Sequence, residues 1–149
     1  MNIRYISVQV HFSKYRIMRK IITVVFPDLD DRLIRIELDE SLAPKTFHAL
    51  FENLPIEVNM HRWGDELYTD PTMIVVGLED GAKREVNKLD FAYWPEGKAL
   101  CLFFGPTPIS KNGIILAYSA VNTIGKILDS DKNEILSQIK DETKVIIKE

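Results

Sequence analysis

The chain has a single cysteine, Cys101, and three histidines among its 149 residues. One thiol cannot close an internal disulfide. Its position inside the apolar run Ala99–Phe104 marks it as a buried core thiol rather than a nucleophile or a redox centre. His11, His48 and His61 show no metal-ligand spacing with one another or with Cys101, so no metal is expected. Asp129, Asp131 and Asn133 copy the first three ligand positions of a calcium loop, but Glu134 stands where that loop requires glycine and Lys140 where it requires a bidentate glutamate. Asp131 and Glu134 read instead as a helix N-cap pair. A glycine-rich phosphate loop, a Gly-x-Ser-x-Gly elbow and a dinucleotide fingerprint are all missing, and no cofactor is expected.

Long hydrophobic runs are missing too. No segment approaches the roughly eighteen apolar residues of a membrane span, and the N-terminus lacks the apolar stretch of a secretory signal. A soluble, cytoplasmic protein with no membrane partner is the expectation. The net charge of -3 argues against general nucleic-acid affinity. Basic charge is uneven, however: residues 1–27 hold Arg4, Lys14, Arg16, Arg19 and Lys20 and no acidic side chain, the pattern of a solvated arm. At this length, with 46% hydrophobic residues, a single domain over 1–149 can bury about two-thirds of its unfolded surface and needs no staples.

What is present is mostly β pattern. Ile6, Val8, Val10 and Phe12 alternate with polar neighbours, giving a strand in an N-terminal extension (1–17) ahead of a core (18–149) that begins near Met18. A plain extra edge strand of the monomer is the first reading of that extension; a contact forming a homo-oligomer is the second. Ile21–Phe26 and Ile34–Leu38 form a first hairpin. Ser41 reads as an N-cap, and Ala43, Phe47, Leu50 and Leu54 follow at helical spacing with Pro44 in the first turn. Further strands are expected at Ile56–Met60, Leu67–Thr69, Met73–Gly77 and Ala82–Val86, with Asp80-Gly81 a hairpin turn.

The stretch Asp90–Pro108 carries the densest signal. Trp94-Pro95-Glu96-Gly97 reads as a β-turn. The following arm, Ala99–Phe104, is apolar on both faces, which a strand tolerates only if both sides are covered or it lies in a small closed sheet. A proline-braced loop, Gly105–Gly113, should connect neighbouring strands, with Asn112-Gly113 as the strongest hairpin turn. Ile114–Ser119, Val121–Ile127, a helix over 133–140 and a last strand, Val145–Ile147, complete the chain. Consecutive strands are joined by turns too short for crossovers, which predicts a mainly β, closed antiparallel barrel with two short helices.

The order of motifs resembles the cyclophilins. Ala43-Pro44-Lys45-Thr46 opening a helix with Phe47 and Leu50 is similar to "aPkTvenFxxL", His61-Arg62 to "FHR", Phe103-Phe104 to the paired phenylalanines, and Val121–Ile127 to "hVVFGkV". Closer still is the likeness to a small family of uncharacterised prokaryotic cyclophilin-like proteins, in Trp63–Tyr68 and in Tyr93-Trp94-Pro95 through Phe104–Pro108. That resemblance implies the barrel and no particular activity. In true cyclophilins an arginine polarises the prolyl amide beside an apolar pocket, roles that Arg62 and Phe104 could fill. The "GFMxQGGD" segment is replaced by Trp63-Gly64-Asp65-Glu66, and Leu102 stands where glutamine is expected. The expected tryptophan and histidine are absent from 105–120. Strand alternation also places Arg62 on the face of Ile56, Val58 and Met60, pointing inward unless Gly64 marks a bulge. A rim residue or an ion-pair partner of Asp65 or Glu66 is its first reading.

Adjacent carboxylates at Asp65-Glu66 and Glu79-Asp80 point to opposite strand faces, so neither pair makes an acid/base site. The aromatic set Trp63, Tyr68, Tyr93, Trp94 and Phe104 can line a concave site. The first expectation is therefore a barrel that binds a small molecule or peptide without prolyl isomerase activity, through Arg62, Glu66, Tyr68, Tyr93 and Phe104. The second is a weak prolyl isomerase using Arg62 and Phe104. The third is an assembly subunit that uses the barrel as an interaction module.

Overall fold

The computed structural model describes residues 17–128 and 133–149. The expected N-terminal strand and Asp129 and Asp131 lie outside the described residues. Within them run β1 (Arg19–Phe26), β2 (Arg32–Asp39), α1 (Pro44–Asn53), β3 (Ile56–Trp63), β4 (Glu66–Thr69), β5 (Lys83–Val86), β6 (Asp90–Trp94), β7 (Ala99–Phe103), β8 (Ile115–Ile127), α2 (Asn133–Gln138) and β9 (Thr143–Lys148). Hydrogen-bonded neighbours follow the order β2-β1-β9-β3-β4-β7-β6-β8, and β8 returns to pair with β2. Eight antiparallel strands thus close into a barrel, while β5 pairs with β8 outside the circuit. Closure leaves the barrel strands no free edge.

Alternation fills the interior. Ile22, Val24 and Phe26 of β1, Ile34, Ile36 and Leu38 of β2, and Val145 and Ile147 of β9 all point into one core and are fully shielded or nearly so. Phe47 and Leu50 of α1 and Ile135 and Leu136 of α2 join it. On β7, Leu100 and Leu102 face this core while Cys101 and Phe103 face a second one with Val86, Ala92, Ala117 and Val121. The doubly apolar strand is explained: its outer face is covered by β5 and the first half of β8.

Several local expectations yield to longer-range geometry. Ser41 does not cap α1; its hydroxyl and N–H bond Asp39. The helix start is satisfied instead by Glu79, whose carboxylate accepts from the Lys45 and Thr46 N–H groups at 2.9 Å each and from the Thr46 hydroxyl at 2.6 Å. A carboxylate there also suits the positive end of the helix dipole. Asn122 of β8 holds Glu79 in place by accepting its N–H at 2.9 Å, and donates to the Thr46 hydroxyl and the Gly77 carbonyl. Residues 73–77 form no strand: the Tyr93 hydroxyl and the Asn122 amide take the Ile74 and Gly77 carbonyls in place of a ladder. The Asp80-Gly81 turn consequently sits within a long connection rather than a hairpin.

The hairpin between β6 and β7 pairs Trp94 with Ala99, which shifts its turn by one residue to Pro95–Lys98, closed by the Lys98 N–H on the Pro95 carbonyl. Ile114–Ser119 and Val121–Ile127 are one continuous strand. β8 absorbs its change of partner, from β5 to β6 and β2, with register irregularities rather than a break. β6 lies between β7 and β8, so the Gly105–Gly113 loop does not join neighbours; Asn112-Gly113 turns tightly, both at positive φ, but closes only the Lys111–Ile114 bridge. Where β8 meets β2, Gly125 pairs with Leu38, and a methyl built on it would run into the Glu37 carbonyl oxygen.

Candidate functional site

The five side chains expected at one site fall into three places. Tyr93 belongs to the barrel interior, fully buried, its hydroxyl donating to the Ile74 carbonyl at 2.5 Å. It reaches no opening because β6 alternates: Tyr93 points in while Ala92 and Trp94 point out.

Arg62 and Phe104 form a corner of their own. β3 and β4 are joined by the two-residue turn Gly64-Asp65, with Gly64 at φ 61°, and Arg62 pairs with Leu67 without a bulge. The inward face of β3 meets α2 at this point, and Arg62 Nη1 donates to the carbonyls of Leu136, Ser137 and Ile139 at 3.1–3.3 Å. Its Nη2 meets Asp65 Oδ1 at 2.9 Å, the ion pair anticipated for it. The guanidinium carbon lies 5.1 Å from the centre of the Phe104 ring, a stacked cation–π contact. Arg62 therefore caps the C-terminal end of α2 and is tied at the same time to the β3–β4 turn.

Glu66 and Tyr68 share a third place, on the outward face of β4. A cavity of about 180 Å³ opens here, lined by Trp63, Glu66, Tyr68, Trp94, Cys101, Ala117, Tyr118 and Val121. Each wall follows from strand register. Trp63 pairs directly with Glu66 across the hairpin, Cys101 pairs with Tyr68, and Trp94 continues the outward row of β6. Tyr118 stands edge-on between the two indoles, its ring centre 6.1 Å from Trp63 and 6.0 Å from Trp94. Trp94 is fixed by donating to the Ser119 hydroxyl, which in turn donates to Glu96, both at 2.6 Å.

At the floor, Glu66 is only 6% exposed and its Oε1 has no hydrogen-bond partner. Burial pushes its carboxyl up to about 7, against a weaker downward pull from the Cys101 thiol. Burial and the neighbouring Glu66 push the Cys101 thiol well above its ordinary value, so it is inert as a nucleophile near neutrality. The Tyr68 phenol is raised by burial and then by Asp141 and Glu66. His61 lies beside Tyr68, bonds Asp70 at 2.5 Å, and is raised mainly by that bond. An uncompensated polar atom this deep costs about 1–3 kcal/mol, so the arrangement is one that a ligand would relieve.

Trp63 was legible as a wall residue, since a two-residue turn sets it opposite Glu66. Tyr118, Ala117 and Val121 carried no such signal, because nothing local says that β8 folds over β4 and β7. Among the described residues, no group of three or more His, Cys, Asp and Glu side chains is placed to hold a metal ion, and no helix is long and apolar enough to cross a membrane.

Comparison with known proteins agrees with the architecture. The family model described as cyclophilin-like matches residues 20–148. The solution structure of a hypothetical protein from Archaeoglobus fulgidus superposes with a TM-score of 0.72 at 37% sequence identity, covering 90% of this chain and 97% of that one. No curated protein matches the chain. With the closed barrel, the motif order and a family match across nearly all of the described residues, the chain belongs to the cyclophilin-like family.

Proposed function

We propose that this protein binds a small molecule in the Glu66 cavity and does not isomerise prolyl bonds. The observation that carries the reading is the unpartnered Glu66 Oε1 at the floor of a pocket walled by four aromatic rings. Such pockets combine apolar walls with one or two orienting polar groups. At about 180 Å³ the space lies far above what one water needs, and below the roughly 300 Å³ where drug-sized sites begin. That size suits a fragment-sized molecule better than a peptide segment. The absence of isomerase activity is supported by Arg62, whose Nη1 is committed to α2 and whose Nη2 meets Asp65.

Both tryptophans of the chain, Trp63 and Trp94, line the cavity, so intrinsic fluorescence reads its occupancy directly. Titration with small aromatic fragments of differing charge should give a saturable change in emission, lost in Ala117→Phe, which fills the space. A folded wild-type protein that responds to none of them would sink the reading. In a protease-coupled assay on Xaa-Pro peptides no acceleration is expected; an acceleration that disappears in Arg62→Ala would replace this reading with the isomerase.

A further inference from the structure

Resting on the small-molecule reading, we infer that the ligand class is a free organic amine, held in its protonated form with an N–H on Glu66 Oε1 and its apolar body between the indoles and Tyr118. Four observations converge. Glu66, the one carboxylate among the lining residues, carries an oxygen without a partner on a side chain more than nine-tenths buried. The walls include Trp63, Tyr68, Trp94 and Tyr118, whose ring faces carry negative charge density that attracts cations. No cationic side chain is among the lining residues.

The surroundings are acidic as well. Asp141, Glu66 and Asp70 all lie near enough to hold up the Tyr68 phenol. Of the cations nearby, His61 bonds Asp70 and lies 3.4 Å from Asp141, while Arg84 donates its Nε–H to the Ala117 carbonyl at 3.2 Å and is not a lining residue. An anion would find no cationic side chain in the lining to pair with. A neutral alcohol could satisfy Oε1 but would gain no cation–π attraction from the rings. A charge-assisted hydrogen bond is roughly twice as strong as a neutral one, and a desolvated cation over aromatic faces adds to it.

The test is fluorescence titration of the full chain with benzylamine, benzyl alcohol and benzoate, in mildly alkaline buffer where Glu66 is ionised. Benzylamine should bind at least about tenfold more tightly than the alcohol, the gap expected from a charge-assisted bond plus the ring contacts. Benzoate should not bind. Glu66→Gln should remove that preference, weakening benzylamine by about tenfold while changing the alcohol little. Tyr118→Ala, at an exposed position safe for folding, should weaken the amine more than the alcohol. Equal affinity for all three, or a preference for benzoate, overturns the amine while leaving a binding cavity in place. Silence from all three overturns both. Tighter binding of acetyl-lysine amide than of benzylamine would move the site from free amines to a protein side chain and overturn the inference as well.

Discussion

Arg62 and Glu66 stand on either side of the same two-residue turn, and one is held by several partners while the other is left wanting. The guanidinium meets three helix carbonyls, a carboxylate and a ring. The carboxyl of Glu66 is more deeply buried and has an oxygen with no donor at all. What separates them is the face of the wall they look from. The inward face ends against α2, where an unpaired group would weaken the barrel itself. The outward face ends in the smaller second core, which can carry a costly group because the barrel does not depend on it. The arginine before the turn ties barrel to helix; the glutamate after it is the candidate for binding.

Removing the well-held partner should cost most. Arg62→Ala leaves the α2 carbonyls and Asp65 without their donor, and a loss of about 3–4 kcal/mol in urea unfolding is expected for breaking a partly buried charged cluster. A loss near zero would mean that the corner is ornamental and that the contrast with Glu66 is empty.

The unsatisfied partner should reveal itself through pH. Glu66 sits at about 7 in the folded chain against an ordinary 4.5, so between those values the folded state holds a proton that the unfolded state has lost. Stability is then full below pH 4.5, falls as pH rises, and levels off above about 7, with a total of roughly 3 kcal/mol. His61, raised above 6.5, continues the decline at higher pH, while the lowered Asp39 works in the opposite direction at acid pH. The difference between wild type and Glu66→Gln isolates the glutamate: the wild-type deficit should open across that window. A flat difference curve would show that Oε1 is not deprived.

Glu79 sharpens the comparison as a carboxylate with all the donors it needs. Glu79→Ala should lose about 1–2 kcal/mol in urea unfolding, as for a lost helix cap. Smallest of all, Tyr118→Ala should shift stability by less than about 0.5 kcal/mol, because the ring is 63% exposed and its role is in the pocket wall. A larger loss would make the ring part of the core rather than of a site.

The barrel was legible in the chain because alternation, the doubly apolar Ala99–Phe104 and the motif order are local signals that agree with one another. What was illegible depended on contacts between distant segments. Ser41 has the chemistry of a cap, yet Glu79 arrives from another loop and offers two oxygens where a hydroxyl offers one. Met73–Gly77 has strand composition, but the closed barrel has no vacant edge to receive it. Glu66 and Tyr68 could be assigned a common face from their spacing alone. Alternation along β3 already assigned Arg62 the inward face; separating Tyr93 and Phe104 from Glu66 and Tyr68 required knowing which face of the later strands was inside, and the pattern of a wall buried on both sides does not say.

The meeting of β8 with β2 at Gly125 has a consequence for how this scaffold can vary. The circumference is completed where one backbone lies directly against another, with no space for even a single carbon between Gly125 and the Glu37 carbonyl. An alanine there would have to prise the two chains apart at the one joint that turns a ribbon into a ring. Since β8 also forms a wall of the Glu66 cavity, that loosening would reach the cavity from behind. The outer compartment can therefore diversify freely in its side chains, while the hoop that supports it tolerates no added atom at its clasp.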